Sequence, residues 1–395
     1  MSPVISRRSF LGRSAIVGCS LAASPLITPV SFASAPWDTR LVVIILRGAM
    51  DGLDVVQPYG RPGLAGNRHT LRMGPENGAH DLDGFFALHP GLGVLMPLWS
   101  AGELAFVHAT STPYRDKRSH FDGQDILESG TDSALGIRDG WLNRMLAEVP
   151  GMNREMAYAI GSEDMLLMAG DTQVSEWAPD AGYEISPQAE LLMRTLMEQD
   201  PAMAAAYADA SRLNAAGMEM GAMEGGKKRA SASVKIAEFA ADRLRGESRI
   251  AAFSIGGWDM HAGQDRLMMR TLKRLGTVIT TMKERMGPEV WGKTVIVTMT
   301  EFGRTVKENG TRGTDHGTAG AMILVGGAVS GGRVYGDWPG LTEADLYKRR
   351  DLMPTTDVRS HAAWIIQGLI GLDRNVLETV VFPGLQMTDN PGLVL

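Results

Sequence analysis

Residues 41–52 read LVVIILRGAMDG, an uninterrupted apolar run followed by a polar, glycine-containing segment. Six consecutive apolar side chains leave no polar face, so the run is typical of a strand that is buried on both sides of a parallel sheet. Arg47 and Asp51 follow the run directly. The stretch therefore predicts a buried strand with polar side chains just beyond its carboxyl end.

Four further segments have the same buried, strand-like character, and helical patterns separate them. Alternating strands and helices predict an α/β fold: a doubly wound, mostly parallel sheet with helices on both faces. We expect residues 36–395 to form a single α/β domain, with a helical or loop insertion at about 186–231. The further strands are predicted at 104–109, 249–255, 294–299 and 321–327, and the helices at about 140–148, 187–199, 232–245, 264–285 and 358–370.

Composition limits the class of protein. The chain has 395 residues, of which 44% are hydrophobic, and this is enough for a sizeable core. The net charge is −6. Because residues 1–35 carry three arginines and no acidic residue, the remainder is more acidic still, which argues against nucleic acid as a partner. After these residues no stretch is long and apolar enough to predict a transmembrane span.

The N-terminal 35 residues have the features of an export signal. SRRSFL at 6–11 matches a twin-arginine signal, an apolar stretch begins near Ala15, and Ala33-Ser34-Ala35 has the small-x-small form of a cleavage site. The sequence therefore predicts a periplasmic or secreted protein. IVGC at 16–19 also resembles a lipoprotein cleavage box, so the less favoured alternative is a lipid anchor at Cys19, the only cysteine.

Polar residues collect just past the predicted strands. In an open parallel sheet, ligands bind outside the carboxyl ends of the strands. The segment TDHGTAG at 314–320 belongs with this group because it leads into the last strand. The residues past the successive strands are Arg47 and Asp51, then Arg118, Ser119, His120 and Asp122, then Asp259 and His261, then Glu301 and Arg304.

Imidazole and carboxylate side chains are ligands that suit zinc, manganese or iron, and glycines allow the backbone to approach an ion closely. For any single Asp–His pair, a helix cap or a turn is the simpler interpretation. Several such pairs at the same edge of one sheet favour a shared metal site instead.

Longer motifs resemble a known family. The chain resembles the exported bacterial family known as domain of unknown function 1501, which is grouped with the alkaline phosphatase and sulfatase superfamily. This resemblance implies the doubly wound α/β fold of that superfamily. The motifs that carry it are LRGAMDGLDVVQPYG from 46, LDGFFALHPGL from 82, PYRDKRSHFDGQDILESG from 113, GGWDMHAGQ from 256, TEFGRTVKENGTRGTDHGTAG from 300 and GGRVYGDWPGL from 331.

The resemblance also implies roles for individual residues. Ser119 matches a nucleophile at the start of a helix, and the superfamily's last histidine has His361 as its only candidate, with Glu301 as a substitute. One residue separates Asp259 from His261, whereas superfamily members usually have three residues there. The metal ligands that we predict are Asp51, Asp259, His261, Glu301, Asp315 and His316.

We therefore expect an exported metal-dependent hydrolase of phosphate or sulfate esters. Ser119, His120 and Arg304 are the predicted catalytic residues, with Arg47 and Arg118 as further candidates for binding the anion. One or two divalent ions are expected, with zinc, manganese or calcium as candidates, and the substrate would be an anionic small molecule or a glycan ester. The alternative is a non-catalytic, alkaline-phosphatase-like protein that binds a protein partner or a glycan in the periplasm. The sequence leaves the oligomeric state open.

Overall fold

Strand β1, Arg40–Leu46, is completely buried at the centre of a large sheet. Its alternate side chains pack into two separate hydrophobic cores: Val43 and Ile45 face one, and Val42 and Ile44 face the other. Residues 41–46 are all apolar because both faces of the sheet are covered. The computed structural model describes residues 37–60, 63–71, 73–133, 138–151, 156–161, 165–177 and 232–395.

Twelve strands occur in these described ranges, in two sheets. The main sheet has nine strands and the second has three. In chain order the strands after β1 are β2 Val56–Gln57, β3 His80–Asp81, β4 Ala87–Leu88, β5 Leu104–Ser111, β6 Ala157–Ile160, β7 Ser175–Trp177, β8 Ile250–Ile255, β9 Thr294–Met299, β10 Gly320–Val325, β11 Arg333–Tyr335 and β12 Thr356–Asp357.

The main sheet has the order β11-β5-β10-β9-β1-β8-β6-β7, with β12 paired to β5. All pairs in it are parallel except those of β10, which runs antiparallel to both β9 and β5. The predicted mostly parallel sheet is confirmed. The reversal of β10 matters for function, because it places the amino end of β10 at the edge where the neighbouring strands have their carboxyl ends.

Helices cover both faces of the sheet, which confirms the doubly wound arrangement. Helices α5 and α8 contribute to the first core, and α6 and α7 contribute to the second. The helices are α1 Gly52–Val55, α2 Leu64–Asn67, α3 Met96–Ser100, α4 His120–Ser129, α5 Trp141–Ala147, α6 Ala232–Arg245, α7 Gln264–Trp291, α8 Val358–Ile370 and α9 Arg374–Val376. Shorter 3-10 turns lie at Pro75–Asn77, Pro90–Leu95, Leu166–Met168 and Glu343–Asp345, and a π-turn lies at Leu377–Val381.

The predicted elements agree closely with the observed ones. All five predicted strands are present, and the helices predicted at 232–245 and 358–370 have the predicted bounds. Helix α7 was predicted to end at 285 but extends to Trp291 through a break at Gly287, whose φ of 72° is not helical. Proline disfavours helical backbone in the residue before it, so Pro288 explains this break. The predicted helix at 187–199, the insertion at 186–231 and the signal at 1–35 lie outside the described residues.

The second sheet, in the order β2-β4-β3, lies after β1 in the chain and is antiparallel. Its first strand follows helix α1, which Asp51 caps through a hydrogen bond from the Leu53 amide. Among the described helices, none combines the length and the apolar composition that crossing a membrane would require.

Candidate metal centre

The polar segments predicted to meet do lie together at one edge of the main sheet. Two of them pair directly, because the segment after β9 forms short antiparallel contacts with the segment before β10. Gly317 N donates to Gly303 O at 2.8 Å, and Gly303 N donates to Thr318 O at 2.9 Å. Arg304 and His316 are opposite each other in this bridge. The reversal of β10 thus brings the Asp315-His316 pair beside the TEFGRT segment.

Two glycines of the 313–320 segment explain its composition. A Cβ at Gly317 would lie 2.4 Å from the carbonyl carbon of Arg304, and one at Gly313 would lie 2.3 Å from that of His261. Both distances are far below a normal contact and involve backbone, which cannot move aside cheaply. The glycines are therefore required for close backbone approach, and they fix His316 against the segments that carry Arg304 and His261.

Four side chains converge at this edge. Ligand atoms of His120, Asp259 and His316 all lie within 4.8 Å of one another, as in a group that could hold a metal ion. His261 joins them, since its Nε2 lies 3.0 Å from Asp259 Oδ1 and 2.9 Å from His316 Nε2. The other Asp259 oxygen, Oδ2, lies 3.4 Å from His120 Nε2. We refer to these four residues as the His–Asp cluster.

A buried carboxylate orients His120. Its Nδ1 donates to Glu301 Oε1 at 2.7 Å, and its ring stacks on Phe302 with centroids 5.1 Å apart. The hydrogen bond to Glu301 raises the pKa of His120. Glu301 is fully buried and also accepts from Gly48 N at 2.9 Å. Glu301 was predicted as a ligand, but its position behind His120 makes it the partner that fixes the imidazole, as is usual for metal-binding histidines.

The other two histidines are oriented in the same way. His316 Nδ1 donates to Arg118 O at 2.9 Å, and His261 Nδ1 donates to Asp315 Oδ1 at 3.2 Å. Asp315, a predicted ligand, thus lies behind His261, as Glu301 lies behind His120. Hydrogen bonds from Asn309 and His261 lower the pKa of Asp315. In all three histidines Nδ1 is engaged and Nε2 faces the cluster.

The hydrogen bonds at Nδ1 leave the Nε2 atoms of the cluster facing one another. A neutral imidazole has one N–H, yet both rings face acceptors on both sides, because the Nε2 atoms of His261 and His316 also lie 3.0 and 3.3 Å from Asp259 Oδ1. When each neutral ring donates its single proton from Nδ1 to Asp315 Oδ1 or Arg118 O, its Nε2 is left unprotonated. Both Nε2 atoms then present lone pairs to each other across 2.9 Å. In addition, His120 Nε2 is buried and has no hydrogen-bond partner. A cation at this position would satisfy all of these atoms, so the residues present fit a metal ion.

Arg304 has a different place from the one predicted. The side chain is 1% exposed, and its guanidinium donates to Asp259 Oδ1 at 2.6 Å. Partial burial raises the pKa of Asp259, but the hydrogen bond and charge of Arg304 outweigh it and bring that pKa to about 2. The remaining donors reach Ala49 O, Gly48 O, Thr314 O and Trp258 O. Arg304 is therefore a positioning residue, and its contacts do not match the predicted catalytic role.

Asp51 is not part of the cluster. Its carboxylate accepts two hydrogen bonds from Arg68, at 2.7 and 3.0 Å, and one from Gln264 at 2.7 Å. Both Asp51 and Arg68 are buried. The predicted ligand is thus a helix cap and an ion-pair partner, because Arg68, which the sequence did not single out, neutralises it.

Ser119 caps helix α4, so it lies at the start of a helix as expected. Its Oγ accepts from Asp122 N at 3.4 Å, and the side chain is half-buried. Three other hydroxyl residues, Thr110, Ser111 and Thr112, lie at the carboxyl end of β5 and could be considered as nucleophiles. All three are buried, and Thr112 Oγ1 already donates to Glu301 O. Ser119 is therefore the most accessible hydroxyl among these candidates.

The side chains of the remaining predicted residues make contacts outside the cluster. Arg47 forms an ion pair with Glu128 at 2.7 Å. Arg118 is 38% exposed and lies 3.6 Å from the buried Asp351. His361 is buried in α8, where its Nε2 lies 3.0 Å from Thr356 Oγ1, and burial lowers its pKa to about 4. His361 therefore forms a hydrogen bond within the core. Arg118 lies next to His316, because its backbone oxygen accepts from His316 Nδ1.

A family model described as "Protein of unknown function (DUF1501)" matches residues 110–381, more than half of the chain. The chain belongs to this family. The match includes all four residues of the His–Asp cluster and confirms the family resemblance found in the sequence. No curated protein matches the chain.

Several solved structures resemble the DUF1501 chain in fold. A protein in the alkaline phosphatase superfamily from Vibrio parahaemolyticus is 11% identical, with 92% of this chain and 75% of that chain covered and a TM-score of 0.40. The C-terminal periplasmic domain of EcEptC from Escherichia coli, in complex with Zn, is 10% identical, with 90% and 91% covered and a TM-score of 0.40. The lipoteichoic acid synthase LtaP from Listeria monocytogenes is 8% identical, with 93% and 81% covered and a TM-score of 0.39.

Two residues near the cluster were not found from the sequence. Phe302 is buried beneath the rings of His120 and His316, and its place within TEFGRT could have indicated this. Arg350 donates to His316 O at 3.0 Å and to Asp351 Oδ1 at 2.8 Å. Nothing in the RRD run at 349–351 distinguishes Arg350 from a surface arginine, so only the fold reveals its position.

The assignment of Asp51 as an ion-pair partner predicts the effect of Asp51→Asn. The substitution removes the negative charge and leaves Arg68 buried without a counter-ion, which should lower the free energy of unfolding by about 3 kcal/mol. Urea denaturation of both proteins measures this loss. The exposed Asp389→Asn is the control and should change the same quantity by less than about 0.5 kcal/mol. Unchanged stability in Asp51→Asn would contradict the assignment.

Proposed function

We propose that this DUF1501 protein is an exported, metal-dependent hydrolase of phosphate or sulfate esters. The observation that carries the proposal is the convergence of three imidazole Nε2 atoms on one carboxylate. Each imidazole has its Nδ1 held by a separate acceptor. Such preorganised ligand sets with a fixed tautomer are typical of metal centres.

His120, Asp259, His261 and His316 would hold the ion. Three nitrogen donors and one oxygen donor favour zinc over manganese and calcium, which prefer oxygen ligands. A bound ion of this kind polarises an ester oxygen and lowers the pKa of a hydroxyl or water that it contacts. Asp51, Glu301 and Asp315 would support the site without contacting the ion.

The chain's own residues would bind and orient the ester. Arg118 and Arg350 flank His316, and their side chains are 38% and 35% exposed, so their free donors can reach an anion. The amino end of α4 offers backbone N–H groups and a partial positive charge beside Ser119 and His120. Ser119 is the candidate nucleophile, with its hydroxyl at that helix end.

The cluster is open to solvent, which bears on the substrate. Asp259 and His261 have side chains that are 46% and 45% exposed. An ester carried by a large molecule can therefore reach the site as readily as a small one. We propose an anionic ester as substrate, either a small molecule or a glycan.

One observation favours a non-catalytic alternative. The hydroxyl of Ser119 already accepts the capping hydrogen bond from Asp122 N, and caps are the ordinary role of such serines. In that case the protein would bind a partner or a glycan at this edge of the sheet, with the metal serving only to fix the loops.

The proposal of export rests on residues 6–11 and is tested by replacing both Arg7 and Arg8 with lysine. The double variant should remain in the cytoplasm, because lysine lacks the planar guanidinium group of arginine. Fractionation followed by immunoblotting measures the distribution, with Arg13→Lys as the control that should be exported normally. Normal export of the double variant would contradict the proposed pathway.

Metal binding is tested with His316→Ala. Removing this ligand should lower the ratio of bound zinc or manganese to protein at least tenfold, whereas far-ultraviolet circular dichroism should stay unchanged. Elemental analysis after loading and dialysis gives the ratio. His69→Ala, which removes an exposed histidine outside the cluster, is the control. If His316→Ala retains the metal of the original protein, the proposed centre is wrong.

The role of Ser119 is tested with three variants and an aryl phosphate or aryl sulfate substrate. If Ser119 is the nucleophile, Ala and Asn should both lose nearly all turnover, and Thr should retain part of it. If Ser119 is only a cap, Asn should restore the stability that Ala loses, about 1 kcal/mol, and all three variants should keep the rate per folded molecule. The second result would remove Ser119 from the mechanism.

A further inference from the structure

One face of helix α7 carries an unusual concentration of positive charge. Arg266, Arg270 and Lys273 lie three or four residues apart, so they project from the same side of the helix, and all three are exposed. With a rise of 1.5 Å per residue they extend over roughly 10 Å of the helix. Arg274, half-buried, lies at the border of this face. We call Arg266, Arg270 and Lys273 the basic face.

Among the residues that the structure describes, the basic face has no acidic partner. Within the described part of the chain, no carboxylate lies within salt-bridge distance of any of its three side chains, whereas Arg285 near the other end of α7 pairs with Asp242 at 2.7 Å. The protein as a whole has a net charge of −6. Positive charge without a partner in the described ranges, on one helix of an acidic protein, is therefore a local feature and does not follow from overall composition.

This arrangement is unfavourable for the helix itself. Arg266 lies in the first turn, where the helix dipole disfavours positive charge. Arg270 follows Arg266 by four residues and precedes Arg274 by four, and like charges at this spacing destabilise a helix. The stability of the helix therefore does not explain why three basic residues lie on this face. Binding of an anionic ligand would explain it.

The basic face begins beside the His–Asp cluster. His261 precedes the first residue of α7, Gln264, by three positions, and Gln264 N donates to Arg312 O at 2.8 Å. The exposed Arg312 thus lies at the start of the helix. Arg274 donates to Gly256 O, within the loop that carries Asp259. Positive charge therefore continues from the loops of the cluster along α7.

We propose that the basic face binds a glycan that carries several phosphate or sulfate groups while one ester of the same chain lies at the His–Asp cluster. This inference rests on the proposed function and specifies its substrate as a polyanionic polymer. A single small ester would need only the arginines beside His316. Charges spaced over roughly 10 Å match a ligand with repeated anionic groups.

The composition of the helix favours a glycan over other polyanions. An interfacial helix needs an apolar face for insertion into a membrane, but the apolar side of α7, with Met268, Leu272 and Leu275, is buried in the core. A surface for single-stranded nucleic acid would carry aromatic side chains for stacking, and the described α7 has none on this face.

The test is a triple variant, Arg266→Gln, Arg270→Gln and Lys273→Gln, compared with a control, Arg245→Gln, Arg285→Gln and Arg349→Gln, which removes the same charge elsewhere. Binding of fluorescent dextran sulfate is measured at several salt concentrations, with neutral dextran as the uncharged probe. The triple variant should bind at least tenfold more weakly and show a shallower salt dependence. The control should bind like the original protein. Equal binding by the triple variant would overturn the proposal.

Further measurements separate this proposal from its alternatives. Turnover of a small aryl ester should be unchanged in the triple variant, and His316→Ala should lose that turnover yet still bind dextran sulfate. If small-ester turnover is absent from the original protein but dextran sulfate binding depends on the basic face, the hydrolase proposal fails and the binding surface remains. Stronger, face-dependent binding to phosphatidylglycerol vesicles or to an oligonucleotide than to dextran sulfate would overturn the glycan assignment.

Discussion

The site depends on one buried guanidinium. Arg304 is 1% exposed and donates to backbone carbonyls on three other segments as well as to Asp259. It therefore ties the loop after β1, the loop after β8 and the segment before β10 to the end of β9. A buried charge must have all of its partners in place. The four segments consequently hold a single arrangement, and Asp259 is presented to the histidines from a fixed position.

The sequence predicts the sheet better than it predicts which side chains form the His–Asp cluster, for a physical reason. A strand buried on both faces leaves a continuous apolar signal, as in residues 41–46, so its place in the sheet is visible locally. The role of a carboxylate depends on which atom of which neighbour it faces. Asp51, Glu301 and Asp315 lie at the predicted edge, but Arg68, His120 and His261 respectively engage them. His120 was predicted as catalytic, but its Nε2 lies 3.4 Å from Asp259 Oδ2, within the group of atoms that could hold a metal ion.

The direction of β10 was also beyond the sequence. Its apolar run resembles those of the parallel strands, because burial on both faces gives the same pattern in either direction. Only the antiparallel register of β10 with β9 and the pairing of Gly303 with Gly317 reveal the reversal. Because of that reversal, TDHGTAG, which precedes β10, lies at the same edge of the sheet as the segments that follow the parallel strands. Its glycines are there because two backbones lie closer together than any side chain permits.

Some contacts of the site join residues that are close in the sequence, and others join residues that are far apart in it. Arg304 and Thr314, which hydrogen-bond across the β9–β10 connection, are only 10 residues apart, whereas His120 and its partner Glu301 are separated by 181. Closing a short loop costs less conformational entropy than closing a long one, and local contacts form sooner. The pairing that presents His316 can therefore form within a hairpin-like unit, before the remote strands are in place. The cluster is complete only when helix α4 also lies at this edge, so it requires a contact between residues 181 positions apart in the chain.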